Sequence, residues 1–311
     1  MNLRLFFLKL LLYIALVLSG LLYFDHRLAH VGNSYNVKRH NLEQQIDSVE
    51  VLVLGASHSL YGINPAYFSH KGFNLSNIDQ DMYFNSALLD KYISRLPKLK
   101  LVIIDIDYSA LNYSLANSLE EWRCPYYQQF WGVKSNSTRL FDIRNYSLTF
   151  LYSNSLSLWL AGQGFNANFA SNLSYNGWIK NDTSALAAMS DQQAKERMAI
   201  LNDGIARNTD KGIRHYIEKM VSELCAKNIK VQLISMPVFN TCSKYCNKDI
   251  ITQNNLFADS LCKKYGCKYT NYFTDDRFTV HDFGDIDHLD FIGAEKFSKI
   301  LDNEIIHPAL N

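Results

Sequence analysis

The sequence predicts an α/β protein: a parallel sheet with helices on both faces, carried on an N-terminal transmembrane helix and interrupted by an aromatic-rich insertion. Short continuous apolar runs such as Val51-Leu52-Val53-Leu54 have the character of strands buried on both faces. They alternate with longer amphipathic stretches, as in consecutive βαβ units. Residues 5–24 are almost wholly apolar, with Lys9 the only charge, close to the ~20 residues that cross a bilayer.

The elements follow in order. The apolar stretch from Leu10 to Phe24 is longer than the core of a cleaved signal peptide and ends in Leu-Leu-Tyr-Phe instead of a small-x-small site, so residues 1–24 read as an uncleaved anchor. Arg4 and Lys9 favour a cytoplasmic amino terminus, although Arg27, Lys38 and Arg39 beyond the span blunt the bias. Residues 25–47, polar with Gly32, Asn33 and Asn36, read as a stalk, and residues 48–311 as the folded domain. Strands are expected at 51–54, 73–75, 101–107, 230–236 and 267–271, and helices at 82–96, 210–228, 249–264 and 291–304. Asp210 and Asn228 are start and stop signals for the second helix, and Pro237 ends the strand after it. The interval 109–205 breaks the alternation and holds all four tryptophans, Trp122, Trp131, Trp159 and Trp178, among many Asn and Ser residues. It is expected to lie over the active-site edge, with flat aromatic faces for sugar rings or an aromatic core of its own.

The 31 basic and 30 acidic residues leave a net charge of +1, which offers no electrostatic basis for nucleic-acid binding. Six cysteines in an exported chain make disulfides possible, with Cys242 and Cys246 enclosing one short loop, Cys262 and Cys267 another, and Cys124 and Cys225 left over.

The chemistry resides in two short stretches. Gly55-Ala56-Ser57-His58-Ser59 follows the first strand, where an open α/β sheet places its ligands, and Asp285-Ile286-Asp287-His288 lies on the loop entering the last helix. Serine needs a base to take its proton, and a histidine held in one tautomer by a carboxylate is the usual solution. Ser57 and His288 fit these roles, and Asp285, Asp287 and Asp290 are all candidates for the acid. His58 is a candidate substrate contact or a support of the turn, and Tyr108 a pocket-lining or packing residue. Asn77 is either a donor to the oxyanion or a turn asparagine. The cluster His281, Asp282, Asp285, Asp287, His288 and Asp290 could hold a divalent cation, but that reading leaves Ser57 without a task, so neither metal nor cofactor is expected.

Together the two blocks resemble the SGNH hydrolase superfamily, whose first block carries the serine in a Gly-Asp-Ser-like turn and whose last is Asp-x-x-His. The run Tyr61-Gly62-Ile63-Asn64-Pro65 and the late Asp-His-Leu-x-x-x-Gly-Ala-x-Lys-Phe are similar to membrane-anchored members that acylate bacterial surface polymers, such as alginate O-acetylation and teichoic acid D-alanyl transfer proteins. The resemblance implies a three-layer, flavodoxin-like α/β/α fold and selects Asp285 as the partner of His288. It implies an oxyanion held by backbone N–H groups near Ser57 and at Asp79, which stands where the family has glycine. It further implies acyl, most simply acetyl, transfer to or removal from a surface polysaccharide. A multi-pass membrane acyltransferase would be the partner, with a single-pass inner-membrane anchor and a periplasmic catalytic domain. Ala56 departs from the family aspartate, and no Gly-x-Asn follows the third strand, where Asp105-Ile106-Asp107-Tyr108 stands. A non-catalytic glycan-binding or assembly protein on the same scaffold is the alternative.

Overall fold

The computed structural model describes residues 3–136, 141–160, 172–183, 190–208 and 212–311. The chain divides into two compact units, Met1–Val37 with Arg123–Ser171, and Lys38–Trp122 with Asn172–Asn311.

In the first unit, helix α1 (Leu3–Ala29) is long and apolar enough to cross a membrane, and its apolar side chains are exposed almost throughout. Near its end Asp25 accepts hydrogen bonds from the Ser147 hydroxyl (3.0 Å) and the Thr149 N–H (2.7 Å), capping the short helix Leu148–Leu151. Tyr35 packs on Tyr126 and Tyr127 with ring centroids 5.0 and 5.1 Å apart. Trp131, 2% exposed, lies in the segment that also buries Phe130. This is an aromatic core, the second of the two expectations for the insertion. The Trp159 side chain lies outside the described residues.

Helix α2 (Ser34–Gln45) spans the division between the units. The polar composition of 25–47 suggested a stalk, but within the second unit Leu42 is fully buried and so is Lys38, whose ammonium nitrogen meets the Ser76 carbonyl. A lysine stem covers apolar surface as well as a leucine does, which composition alone does not reveal.

The second unit holds the sheet. Five parallel strands, β1 (Val51–Leu54), β2 (Gly72–Asn74), β3 (Leu101–Asp105), β4 (Lys230–Ser235) and β5 (Lys268–Asn271), lie in the order 2-1-3-4-5 with helices on both sides. That is the doubly wound order whose connection reverses beside β1, and a crevice opens at the carboxyl ends of the strands there. Strands β1 to β3 are buried along their whole length, as the apolar runs Val51–Leu54 and Leu101–Ile104 require, while the polar ends of β5 face solvent at one edge. Strand β3 ends at Asp105, two residues before the expected limit, because Asp107 leaves the ladder to accept the Ser109 N–H in a turn. Helix α3 (Ser57–Gly62) follows β1, and helix α4 (Met82–Tyr92) begins at an Asp81 cap. Helix α5 (Asp191–Arg207) opens on a Ser190–Gln193 capping box. Helix α6 (Ile213–Ala226) ends before Asn228, which takes the left-handed conformation (φ 58°) expected of a stop; Asp210 lies outside the described residues. Helices α7 (Lys248–Tyr265) and α8 (Phe291–Leu301) complete the unit.

Cys225, Cys242, Cys246, Cys262 and Cys267 are free thiols, so neither short loop is closed by a disulfide. Cys262 and Cys267 sit with sulfurs 3.4 Å apart, and Cys242 and Cys246 both face the Met198 sulfur, at 3.5 and 3.7 Å.

The other sheet edge, β2, is covered by residues 172–183: the Asn74 N–H donates to the Asn176 carbonyl (2.8 Å). Gly177 makes this closure possible, since its φ of +86° suits glycine and a Cβ there would stand 2.1 Å from the Asn74 carbonyl oxygen. Gly177→Ala is therefore expected to cost about 1–3 kcal/mol of stability and to speed amide hydrogen exchange across 172–183 before the rest of the sheet opens. Exchange read by mass spectrometry checks this; uniform acceleration, or none, counts against it.

Candidate active site

Gly55 ends β1 in a space too tight for any side chain: a Cβ would lie 2.5 Å from the Ser59 hydroxyl and 2.9 Å from the Asp105 Cβ. The chain therefore turns at Gly55-Ala56 directly into α3, with Ser57 as its first residue. The Ser59 hydroxyl donates to Asp105 (2.7 Å), tying α3 to β3, and Asn74 donates to the Ser59 and Ile63 carbonyls (2.7 and 2.8 Å), tying it to β2. These buried bonds fix the direction of the Ser57 side chain.

Its hydroxyl donates to His288 Nε2 at 2.8 Å. On the far side of the ring, Nδ1–H meets both oxygens of Asp285 at 3.0 Å and one oxygen of Asp287 at 3.3 Å. Asp285 also accepts the His288 N–H (2.7 Å) and Asp287 N–H (3.0 Å), so one carboxylate shapes the loop and orients the imidazole. Asp290 is engaged elsewhere, accepting the Ile292 and Gly293 N–H groups as the cap of α8. The proposed cation cluster is split in the same way, since Asp282 pairs with Lys296 at 2.9 Å.

Asp287 belongs to a buried charge cluster. Arg197 of α5 donates to it at 2.7 Å, and His58 Nε2 lies 3.4 Å away. His58 Nδ1–H donates to Asp107 (3.3 Å), and the His58 ring stacks on His288 with centroids 4.7 Å apart and planes 21° from parallel. Burial opposes charge on His58, but Asp107 and Asp287 outweigh it and hold the imidazole well above its ordinary value. Burial likewise opposes the Asp287 carboxylate, yet the charges of His288 and Arg197 hold it well below the usual range. Burial and the neighbouring Asp107 charge push Asp105 up to about 7. His58, Asp287 and His288 bring one potential ligand atom each within 4.8 Å of one another, the grouping among the described residues best suited to a metal ion. With the two rings stacked and Asp287 held by Arg197, the cluster is a set of ion pairs and not a coordination shell.

Ser57 and His288 open into a cleft of about 610 Å³, with Asp285, Arg197 and Asp79 on its walls. Its far wall is Asn172 and Ile179 to Thr183, from the end of the insertion. That wall is fastened by Trp178, whose Nε1–H donates to the Tyr61 carbonyl (2.6 Å), and by Asn181, which donates to the Leu289 carbonyl (3.1 Å). Asp79 takes a left-handed backbone (φ 52°), the conformation a glycine supplies freely. Asn77 is buried, its side-chain oxygen accepting the Ile78 N–H, and it does not line the cleft. His58 is buried, stacks on His288 and does not line the cleft. Tyr108 packs, its hydroxyl donating to Asn202 (2.8 Å) and accepting the Asn247 N–H (3.0 Å). Trp122 is 38% exposed but, like Trp178, does not line the cleft. Arg197 had no signal in the sequence, where it is one charge among many on an amphipathic helix.

No protein-family model matches the chain. No curated protein matches it either. Among solved structures, a GDSL-like lipase from Bacteroides thetaiotaomicron aligns at 12% identity over 89% of this chain and 100% of its own, with a TM-score of 0.43. A "putative acylhydrolase" from Bacteroides fragilis aligns at 11% identity over 88% of this chain and 95% of its own, with a TM-score of 0.42. Both are distant likenesses.

Removing Arg197 strands a buried carboxylate. Arg197→Leu is expected to destabilise the full chain by about 3 kcal/mol, the lower end for a broken buried pair because the guanidinium is partly exposed. The depressed Asp287 contributes stability that is present above the unfolded carboxylate range, near pH ~4, and lost as the pH falls further. The deficit should thus be widest at neutral pH and shrink in acid, as chemical unfolding in detergent at the two pH values would reveal.

Proposed function

We propose that the chain is a membrane-anchored serine enzyme that moves an acyl group, most simply acetyl, to or from a hydroxyl of a cell-surface polysaccharide. The observation that carries this reading is the hydrogen-bond chain from Ser57 through His288 to Asp285, opening into a cleft. Ser57 Oγ attacks the acyl carbonyl as His288 Nε2 takes its proton. Asp285 steadies the imidazolium, and backbone N–H groups near Ser57 and at Asp79 receive the oxyanion. The imidazolium returns the proton to the leaving oxygen, giving acyl-Ser57. An acceptor hydroxyl, or water, then loses its proton to His288 and attacks the ester, and Ser57 regains its hydrogen.

The polar wall formed by Asn172, Lys180, Asn181, Asp182 and Thr183 supports a hydroxyl-rich acceptor over a lipid one, since an acyl-chain tunnel would be lined with apolar residues. The anchor favours transfer over hydrolysis, as it keeps the domain beside a multi-pass membrane acyltransferase able to deliver acyl groups, with the catalytic domain on the periplasmic side of a bacterial inner membrane. The chemistry uses no cofactor and no metal.

Full-length protein in detergent, treated with an activated acetyl ester, should gain the mass of one acetyl group, and Ser57→Ala should gain none. Ester turnover should fall by at least ~10³ in that variant and by roughly 10²–10⁴ in Asp285→Asn. An adduct that persists in Ser57→Ala, or no adduct and no turnover in folded parent protein, would overturn the assignment.

A further inference from the structure

The oddity of this site is an excess of carboxylates: His288 Nδ1 faces two aspartates where one suffices for orientation. We infer that His58 is a positioning residue, a cation held between Asp107 (3.3 Å) and Asp287 (3.4 Å) on the face of His288, which together with Arg197 offsets the charge of Asp287 and eases the work of His288 as a base. This rests on the acyl-transfer reading above and explains why a second histidine follows the nucleophile directly.

The geometry sets the sign of the effect. Each carboxylate beside an imidazole tightens its hold on the proton, and too tight a hold leaves it protonated when it should accept one from Ser57. Burial and the His58 cation stacked 4.7 Å away lower His288, while Asp287 and Asp285 outweigh them and leave it raised. The groups facing His58 come from the surrounding elements: Asp105 and Asp107 at the end of β3, Asp287, itself paired with Arg197 of α5, and His288 on the last loop, and the thiols Cys242 and Cys246 with the Tyr108 phenol. Met198, Leu201, Met236, Val238 and Phe273 fill the remainder of that hollow, and such apolar walls leave the ion pairs little solvent screening.

The test is the pH profile of kcat/KM for p-nitrophenyl acetate with the full chain in detergent, comparing parent with His58→Gln. Activity needs neutral His288, so it rises with pH through the pKa of that ring. Losing the neighbouring cation should move the acidic limb up by about 1–2 pH units. The deficit is then largest in acid and narrows as the pH rises. His58→Asn, equally uncharged, should move the limb the same way, and it serves if His58→Gln does not fold. A purely structural role instead predicts an equal loss at every pH, which would overturn the inference. NMR titration of His288 in Ser57→Ala, with and without His58→Gln, separates the two readings: the shift should appear there whether or not the parent turns over any ester. If the two titration curves coincide, His58 has no such role.

Discussion

Charge neutrality inside the protein is the constraint on which this site depends. Asp107, His58, Asp287, Arg197 and His288 are drawn from the end of β3, α3, α5 and the loop before α8, and none can be buried alone at tolerable cost. Each acid is matched by a cation from a different part of the chain, so the correct arrival of every element is checked by whether the charges balance. The hydrogen bonds that fix α3 to β2 and β3 serve the same end, since they hold His58 and Ser57 on opposite faces of one turn, the first toward the ion pairs and the second toward the cleft.

Much of this was legible in the chain. Val51 to Leu54 and Leu101 to Asp105 announce strands buried on both faces because nothing polar interrupts them before the carboxyl edge. Asp285 and His288 are legible because three residues bring carboxylate and imidazole together on one loop, a local relation. Relations between distant segments were not: Arg197 reaching Asp287 across 90 residues leaves no periodic or compositional trace, nor does the pairing of His58 with Asp107. The stalk expected at 25–47 failed for a related reason, since the burial of Lys38 depends on the carbonyl it meets and not on its own polarity. The aromatic richness of 109–205 was visible, but not its division. Its middle packs Trp131 into one unit, while its end returns to wall the cleft with Asn181 and its neighbours.

That returning segment has two duties. It closes the edge of β2, which would otherwise offer free backbone groups, and it presents polar side chains opposite Ser57. Edge protection and the lining of the cleft are thus served by the same twelve residues, so changes in one duty are constrained by the other. The tight fit at Gly177 is where the constraint is felt in the backbone.

Ser57 and His288 are 231 residues apart in sequence. A ribosome therefore makes Ser57 well before His288, and in between the serine has no imidazole beside it. The hydrogen bond between Ser57 and His288 forms only when the final loop docks across the finished sheet, so a copy lacking that loop holds Ser57 without the base proposed for it.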